Sequence, residues 1–222
     1  MDSEESHHCS HVLRLNEGDR VTVFDGAGRE GQATIASTTS SRVTLKIAGT
    51  TKTPPPPCEI TLAQAIPKGK NMDLIVQKAV ELGASKLVPI LSDRTIVQLD
   101  ADETAKKREK WRTVALEACK QCGQNHLPVI SAPMIMKDFL ERADKSSLLL
   151  IASLQPDART LKFVLSEYTQ QHGALPKRVT VFVGPEGDFT PAEISLAKSH
   201  GCQPITLGPI ILRTETAAIY CL

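Results

Sequence analysis

Near the C-terminus two short apolar runs each stop at a turn containing Gly and Pro and continue as helix. Arg178–Val183 leads into Gly184-Pro185-Glu186-Gly187-Asp188-Phe189-Thr190, and Pro204–Leu207 leads into Gly208-Pro209-Ile210-Ile211-Leu212-Arg213-Thr214-Glu215-Thr216. Runs this short, rich in β-branched residues and bounded by turn formers, predict buried strands. Thr190-Pro191-Ala192-Glu193 offers an N-cap threonine, a proline at the first helical position and a glutamate three residues past the cap, so a helix is predicted from Pro191. Thr214 is the expected cap of the following helix. Strands and helices that alternate in this way imply a mainly parallel sheet covered on both faces, an α/β fold.

The same rhythm extends back towards Ile66. Ile75, Val76, Ala79 and Val80 recur at helical spacing within Met72–Leu82, Gly83 ends that helix, and Lys86–Leu91 reads as a strand. Ala101–Cys122 is a long helix around Trp111, Val114, Ala115 and Ala118. Val129-Ile130 is a short strand, Lys137–Arg142 a short helix, Ser147–Ala152 a buried strand and Arg159–His172 a helix. Before Ile66 the pattern is β. Asp19–Phe24 and Gln32–Ile35 flank a Gly-rich turn, Arg42–Ile47 follows a Thr/Ser turn, and Glu59–Leu62 follows the Pro54–Pro57 run, a stiff connector. A small β domain over 1–66 and an α/β domain over 67–222 are expected.

Composition narrows the classes of function. The 26 basic and 25 acidic side chains leave a net charge of +1, so binding to a polyanion has to come from local patches rather than the field of the whole chain. No apolar run approaches membrane-spanning length, and Met1-Asp2-Ser3-Glu4-Glu5 lacks the basic and apolar regions of a signal peptide, so a cytoplasmic protein is expected. The 6 cysteines are then expected as reduced thiols. Cys119 and Cys122 have no second pair, and His7, His8 and His11 can put two imidazoles on one helical face but would need a carboxylate or another ligand beside them, so no metal site is expected.

In open α/β sheets ligands gather at the carboxyl ends of the strands, and the loops after Ala152, Val183 and Leu207 all lie at such ends. One pocket walled by three loops is the expectation. Glycine at 184, 187 and 208 would permit φ > 0 or a close approach of backbone to a ligand. Neither turn carries GxGxxG or GxxxxGK[ST], which removes the main support for a dinucleotide or phosphate-loop site.

Gly184-Pro185-Glu186-Gly187 together with Leu207-Gly208-Pro209-x-Ile211-Leu212-Arg213-x-Glu215-Thr216-Ala217 resembles the ribosomal small subunit RNA methyltransferase E family of the SPOUT superfamily. The likeness continues through Val12-Leu13-Arg14, Gly18-Asp19, Lys68-Gly69-Lys70, Asp73, Gln77-Lys78-Ala79, Glu81-Leu82-Gly83, Pro89 and Asp93-Arg94, covering nearly the whole chain. The resemblance implies a trefoil-knotted catalytic domain behind a PUA-like RNA-binding barrel, with S-adenosylmethionine as cofactor and a homodimer as the assembly. The implied reaction is methylation of N3 of a uridine in 16S ribosomal RNA of the small ribosomal subunit. Carried over residue by residue, the cofactor pocket uses Leu154, Gly184, Pro185, Glu186, Gly187, Leu207, Gly208, Ile211, Leu212 and Thr216. Arg213 and Glu215 are the implied catalytic pair, with Glu186 a second candidate for the base. Arg14, Arg20, Lys68, Lys70 and Arg94 are the expected RNA contacts. Gln121, Gln124 and His126 depart from an arginine-bearing pattern frequent in the family. The chain also starts without the family's Arg-Phe-Phe strand and stops at Leu222, so a shortened barrel and last helix are expected. A catalytically weak RNA-binding or ribosome-assembly protein on the same fold, and a ribose 2′-O-methyltransferase, are the alternative readings.

Overall fold

The computed structural model describes residues 1, 3–39, 42–95, 100–144 and 148–222, without the side chain of Glu4. The chain divides into two compact units, Met1–Pro55 and Pro56–Leu222.

The first unit has a short helix, α1 (Ser3–His7), continued by a π-turn over His8–Val12. Three antiparallel strands follow, β1 (Arg20–Phe24), β2 (Arg29–Thr38) and β3 (Val43–Lys52), in the order β1-β2-β3. In β2, Ala33 and Ile35 are buried two residues apart, as one-sided burial of a strand requires. Ile35 joins Cys9 and Val43 in a small core against which Leu15, Val21 and Leu45 pack.

The second unit runs β4 (Glu59–Ala65), α2 (Asn71–Glu81), β5 (Lys86–Leu91), α3 (Ala101–Cys122), β6 (Val129–Ile130), β7 (Met134–Ile135), α4 (Met136–Arg142), β8 (Leu148–Ala152) and β9 (Arg159–Thr160). It continues with α5 (Leu161–His172), β10 (Arg178–Val183), α6 (Pro191–Ser199), β11 (Gln203–Thr206) and α7 (Thr214–Cys221). Its strands pair in parallel in the order β6-β5-β4-β10-β8-β11-β9, with β7 also beside β5. The central strands are apolar on both faces: Leu62, Ala63, Leu87, Val88, Ile151, Phe182 and Ile205 are all fully buried. Phe182 meets Phe139 edge-to-face at 5.4 Å between ring centroids, which fixes α4 against the sheet. The architecture is a mainly parallel α/β sheet with a small antiparallel N-terminal sheet, the fold class expected from the sequence.

Several local readings need correction. Glu59–Leu62, expected in the β domain and hence before a boundary at Ile66, is the start of β4 and pairs with β10 and β5 in the parallel sheet. The apparent alternation Glu-Ile-Thr-Leu hid a strand whose later residues, Leu62–Ala65, are buried throughout. Arg159 and Thr160 are not helical. They pair with β11, and the Thr160 hydroxyl caps α5 by accepting from the Phe163 N–H at 3.3 Å. Thr190 does cap α6 through a full capping box with Glu193. At α7, by contrast, the cap position is Arg213 with no side-chain cap, because the Thr214 hydroxyl is used elsewhere. Ser147 lies outside the described residues.

Candidate active site

A cavity of ≈ 490 Å³ lies beyond the carboxyl ends of β8, β10 and β11, where the loops that follow those strands meet the start of α7. Ala152, Ser153 and Leu154 form one wall. Val183, Gly184, Pro185, Glu186 and Asp188 form the second, and Leu207, Gly208 and Ile210–Glu215 the third, with Ala217 and Asn71 completing it. Eight of the ten predicted cofactor residues are brought together here: Leu154, Gly184, Pro185, Glu186, Leu207, Gly208, Ile211 and Leu212. Arg213 and Glu215 line the same space. Gly187 and Thr216 are not among the lining residues: Gly187 turns its carbonyl to the Arg94 guanidinium, and Thr216 is exposed on α7.

The glycines differ in what they do. Gly208 holds φ at +119°, a conformation that side-chain-bearing residues rarely adopt, and a Cβ there would meet no protein atom within 4 Å. Gly184 is needed for closeness instead. A Cβ at 184 would sit 3.0 Å from Asp188 Oδ1 and 3.2 Å from the Phe189 nitrogen. Those atoms belong to a tight turn in which the Asp188 N–H donates to the Pro185 carbonyl at 2.9 Å and Asp188 itself sits at φ 60°. The Asp188 carboxylate accepts the next N–H, that of Phe189, at 2.7 Å, which offsets part of the cost of a left-handed non-glycine residue. Gly187 has no positive φ, and a Cβ there would make an ordinary 3.5 Å contact with Arg94, so neither conformation nor closeness requires glycine at that position.

Supporting bonds hold the loops. The Gln64 side chain, fully buried at the end of β4, donates to the Thr214 hydroxyl at 3.1 Å and to the Ala65 carbonyl at 2.9 Å. Thr214 in turn donates to the Gly184 carbonyl at 2.6 Å. One hydroxyl therefore ties the start of α7 to the loop after β10, with Gln64 fixing its rotamer. Sequence reasoning missed Gln64, although its signal was present: a lone polar residue inside the apolar run Leu62–Ile66. Glu193, read only as a capping residue, is buried and also accepts from the Asp93 N–H at 3.1 Å and the Ser92 hydroxyl at 3.4 Å. It thereby anchors the loop from which Arg94 reaches Gly187.

Replacing Thr214 by Val keeps the shape but leaves the Gly184 carbonyl and the Gln64 amide without their shared partner. A loss of about 1–3 kcal/mol in unfolding free energy is expected, with Thr214→Ser close to the parent protein. Chemical denaturation checks it, and a Val variant as stable as the parent would show that the hydroxyl does not hold the loops.

The two candidate carboxylates are held differently. Glu186 accepts the Lys68 backbone N–H at 2.9 Å, so it is pinned to the segment between β4 and α2. Among the described residues Glu215 accepts one side-chain hydrogen bond, from the Asn71 amide at 3.4 Å, and it stands in the first turn of α7, where the helix dipole favours an anion. Among the described residues the cavity is lined by three acids, Glu186, Asp188 and Glu215, and one cation, Arg213, so its lining carries more acid than base. Burial pushes the Cys119 thiol up to about 11 and Cys202 to about 12, so both remain protonated at neutral pH and neither is an activated nucleophile.

The expected RNA contacts are dispersed. Arg14 and Arg20 are exposed on the first unit, Arg14 with φ at 53°. Lys68 and Lys70 are exposed just before α2, and Arg94 is exposed but spends its guanidinium on the Gly187 carbonyl.

A three-loop cavity beyond the carboxyl ends of a parallel sheet is where α/β proteins bind small ligands, and comparison with known families gives the class of this one as an RNA methyltransferase. The family description "RNA methyltransferase domain" matches residues 54–222, and "RNA methyltransferase PUA domain" matches residues 2–48. The chain belongs to the ribosomal RNA small subunit methyltransferase E family. It is 32% identical over 222 residues to that enzyme of Bacillus subtilis, covering 99% of this chain and 86% of the relative. A crystal structure of the Neisseria gonorrhoeae enzyme bound to S-adenosylmethionine superposes with a TM-score of 0.87 at 31% identity, covering 100% of this chain and 87% of that one. A Legionella pneumophila protein solved with the same cofactor gives 0.88 at 35% identity, covering 100% and 88%.

Proposed function

We propose that this chain transfers a methyl group from S-adenosylmethionine to N3 of a uridine in 16S ribosomal RNA. The observation that carries the reading is the convergence of Arg213 and Glu215 with the Gly184 and Gly208 loops on one cavity. Its volume lies within the ~300–1,000 Å³ range of small-molecule sites. The residues fit the cofactor: Leu154, Ile211 and Leu212 offer apolar cover for an adenine, and backbone groups of the loop after β11 are available to its polar edge. The surplus of carboxylates suits a cation such as a sulfonium. When bound, S-adenosylmethionine supplies a methyl group that is electrophilic because it is attached to positive sulfur.

The chain's own residues perform the rest. Uracil N3 carries a proton and is a poor nucleophile until that proton leaves. Glu215 accepts it, since it lines the cavity and its carboxylate makes one long contact among the described residues, whereas Glu186 is already committed to the Lys68 N–H. Arg213 stabilises the negative charge that spreads onto the uracil oxygens. Gln64 and Thr214 keep the two loops in register, so the reacting atoms are aligned before reaction. Arg14 and Arg20 are assigned to RNA on the first unit, and Lys68 and Lys70 on the second.

Two further assignments accompany this reading. Leu154, Ile210 and Ile211 line the cavity yet are 61%, 69% and 81% exposed, so this apolar rim is suited to completion by a second copy of the chain, and a homodimer is assigned as the working unit. Among the described residues no helix is long and apolar enough to cross a membrane; a cytoplasmic location is assigned because that is where the proposed substrate, ribosomal RNA, is found.

The test is to incubate the protein with S-adenosylmethionine and either 16S RNA or small subunits lacking the modification, then digest and identify the methylated nucleoside. 3-Methyluridine is the expected product. A ribose 2′-O-methyl product would overturn the choice of acceptor, and binding of RNA without any methyl transfer would favour an assembly protein.

A further inference from the structure

A second concavity of ≈ 80 Å³ lies between the start of α2 and α3, away from the residues assigned above to catalysis. Trp111 and Met72, both 3% exposed, form its apolar side, and Lys70, Lys107 and Lys110 stand around it with a single carboxylate, Asp73. Asp73 is taken by Lys110, 2.5 Å away. Lys70 and Lys107 make no ion pair or side-chain hydrogen bond among the described residues, and the Lys107 ammonium sits 5.8 Å from the centroid of the Trp111 ring. Like charges gathered over a low-dielectric floor repel one another and focus a positive potential, an arrangement stabilised when an anion enters. Of the neighbouring cations on α3, Arg112 is paired with Glu109 at 3.1 Å and Arg108 donates to the Ile130 carbonyl at 3.1 Å, with Asp102 and Glu103 one turn earlier, so the positive potential of the cleft rests on Lys70 and Lys107 themselves.

We propose that this cleft binds a backbone phosphate of the substrate RNA, beside the nucleotide that enters the active-site cavity. The inference rests on the RNA-methylating function above and names which cations hold the strand. Size and adjacency support it. The cleft is far below the ~300 Å³ of a small-molecule pocket, so it suits one phosphate of a polymer rather than a free nucleotide. Lys70 lines the cleft and its sequence neighbour Asn71 lines the active-site cavity, where it approaches Glu215. A strand that places a uracil in the cavity therefore carries its neighbouring phosphates over Lys70 and Lys107. Phosphate contacts of this kind position the substrate without reading its sequence.

The test compares Lys107→Gln, Lys107→Arg and Lys106→Gln with the parent protein. Lys106 is exposed on the same helix but does not line the cleft. Affinity for an RNA fragment containing the methylated uridine is measured over a salt series, and S-adenosylmethionine affinity is measured on each variant as a check on folding. Lys107→Gln is expected to weaken RNA binding several-fold and to reduce the salt slope by about 0.7, the value for one single-strand phosphate contact. Lys107→Arg should keep the parental slope, and Lys106→Gln should change it less than Lys107→Gln. An unchanged slope in Lys107→Gln, or equal changes at positions 106 and 107, would overturn the cleft in favour of a diffuse field. Failure of the underlying function looks different, since the parent protein would then transfer no methyl group to that RNA, whatever the salt slopes of the variants.

Discussion

Glu215→Gln is expected to slow methyl transfer by roughly 10²–10⁴-fold, the usual contribution of a positioned general base, while cofactor affinity changes little. The amide keeps the size of the side chain and its contact with Asn71, but cannot take the N3 proton. Arg213→Ala should slow the same step by roughly 10²–10³-fold, the effect of removing one donor to developing negative charge. The position of Arg213 explains why folding should survive this change. It occupies the cap of α7 without a side-chain cap bond, so its guanidinium is not part of the scaffold. Single-turnover rates and equilibrium affinities separate the two effects. If either variant loses rate and cofactor affinity in equal proportion, that side chain builds the pocket and its chemical role is wrong. Glu186→Gln serves as the comparison: a rate loss larger than that of Glu215→Gln would transfer the base to Glu186.

Gly208→Val should all but eliminate cofactor binding in a protein that still folds. At φ +119° a β-branched residue is a conformational outlier costing about 1–3 kcal/mol. That strain alone corresponds to roughly a 5- to 150-fold effect if the loop relieves it by leaving the binding geometry. The new side chain also has nowhere to go but the open space at the cavity wall, since no protein atom lies within 4 Å of the Cβ position. Gly187→Ala provides the contrast. Its Cβ would make an ordinary 3.5 Å contact with Arg94 at unremarkable φ, so a small effect is expected. Equal losses at 187 and 208 would mean that the glycines matter for the turn alone.

The site was legible in the sequence where chemistry follows from backbone placement. The Gly184 and Leu207–Glu215 loops follow strands and precede helices, so their convergence at the sheet's carboxyl edge was fixed by topology once the β/α rhythm was read. The start of α6 was legible because Thr190 and Glu193 complete a capping box that acts over three residues. What escaped was non-local. Nothing near Glu59 shows that β4 lies between β5 and β10, because that pairing is set by a strand over a hundred residues away. Thr214 has every local mark of a helix cap, yet the Gly184 carbonyl and Gln64 amide take its hydroxyl, and neither partner is close in sequence. Arg94 resembled a free cation for the same reason, until the Gly187 carbonyl was placed beside it.

The central claim is that the cavity walled by the Gly184 and Gly208 loops is the cofactor site. Calorimetric titration of the chain with S-adenosylmethionine tests it most directly, with Gly208→Val titrated in parallel after circular dichroism has shown it to be folded. Saturable binding to the parent chain is expected, and none measurable in the variant over the same concentrations. Absence of binding to the folded parent chain, or equal affinity in both proteins, would contradict it.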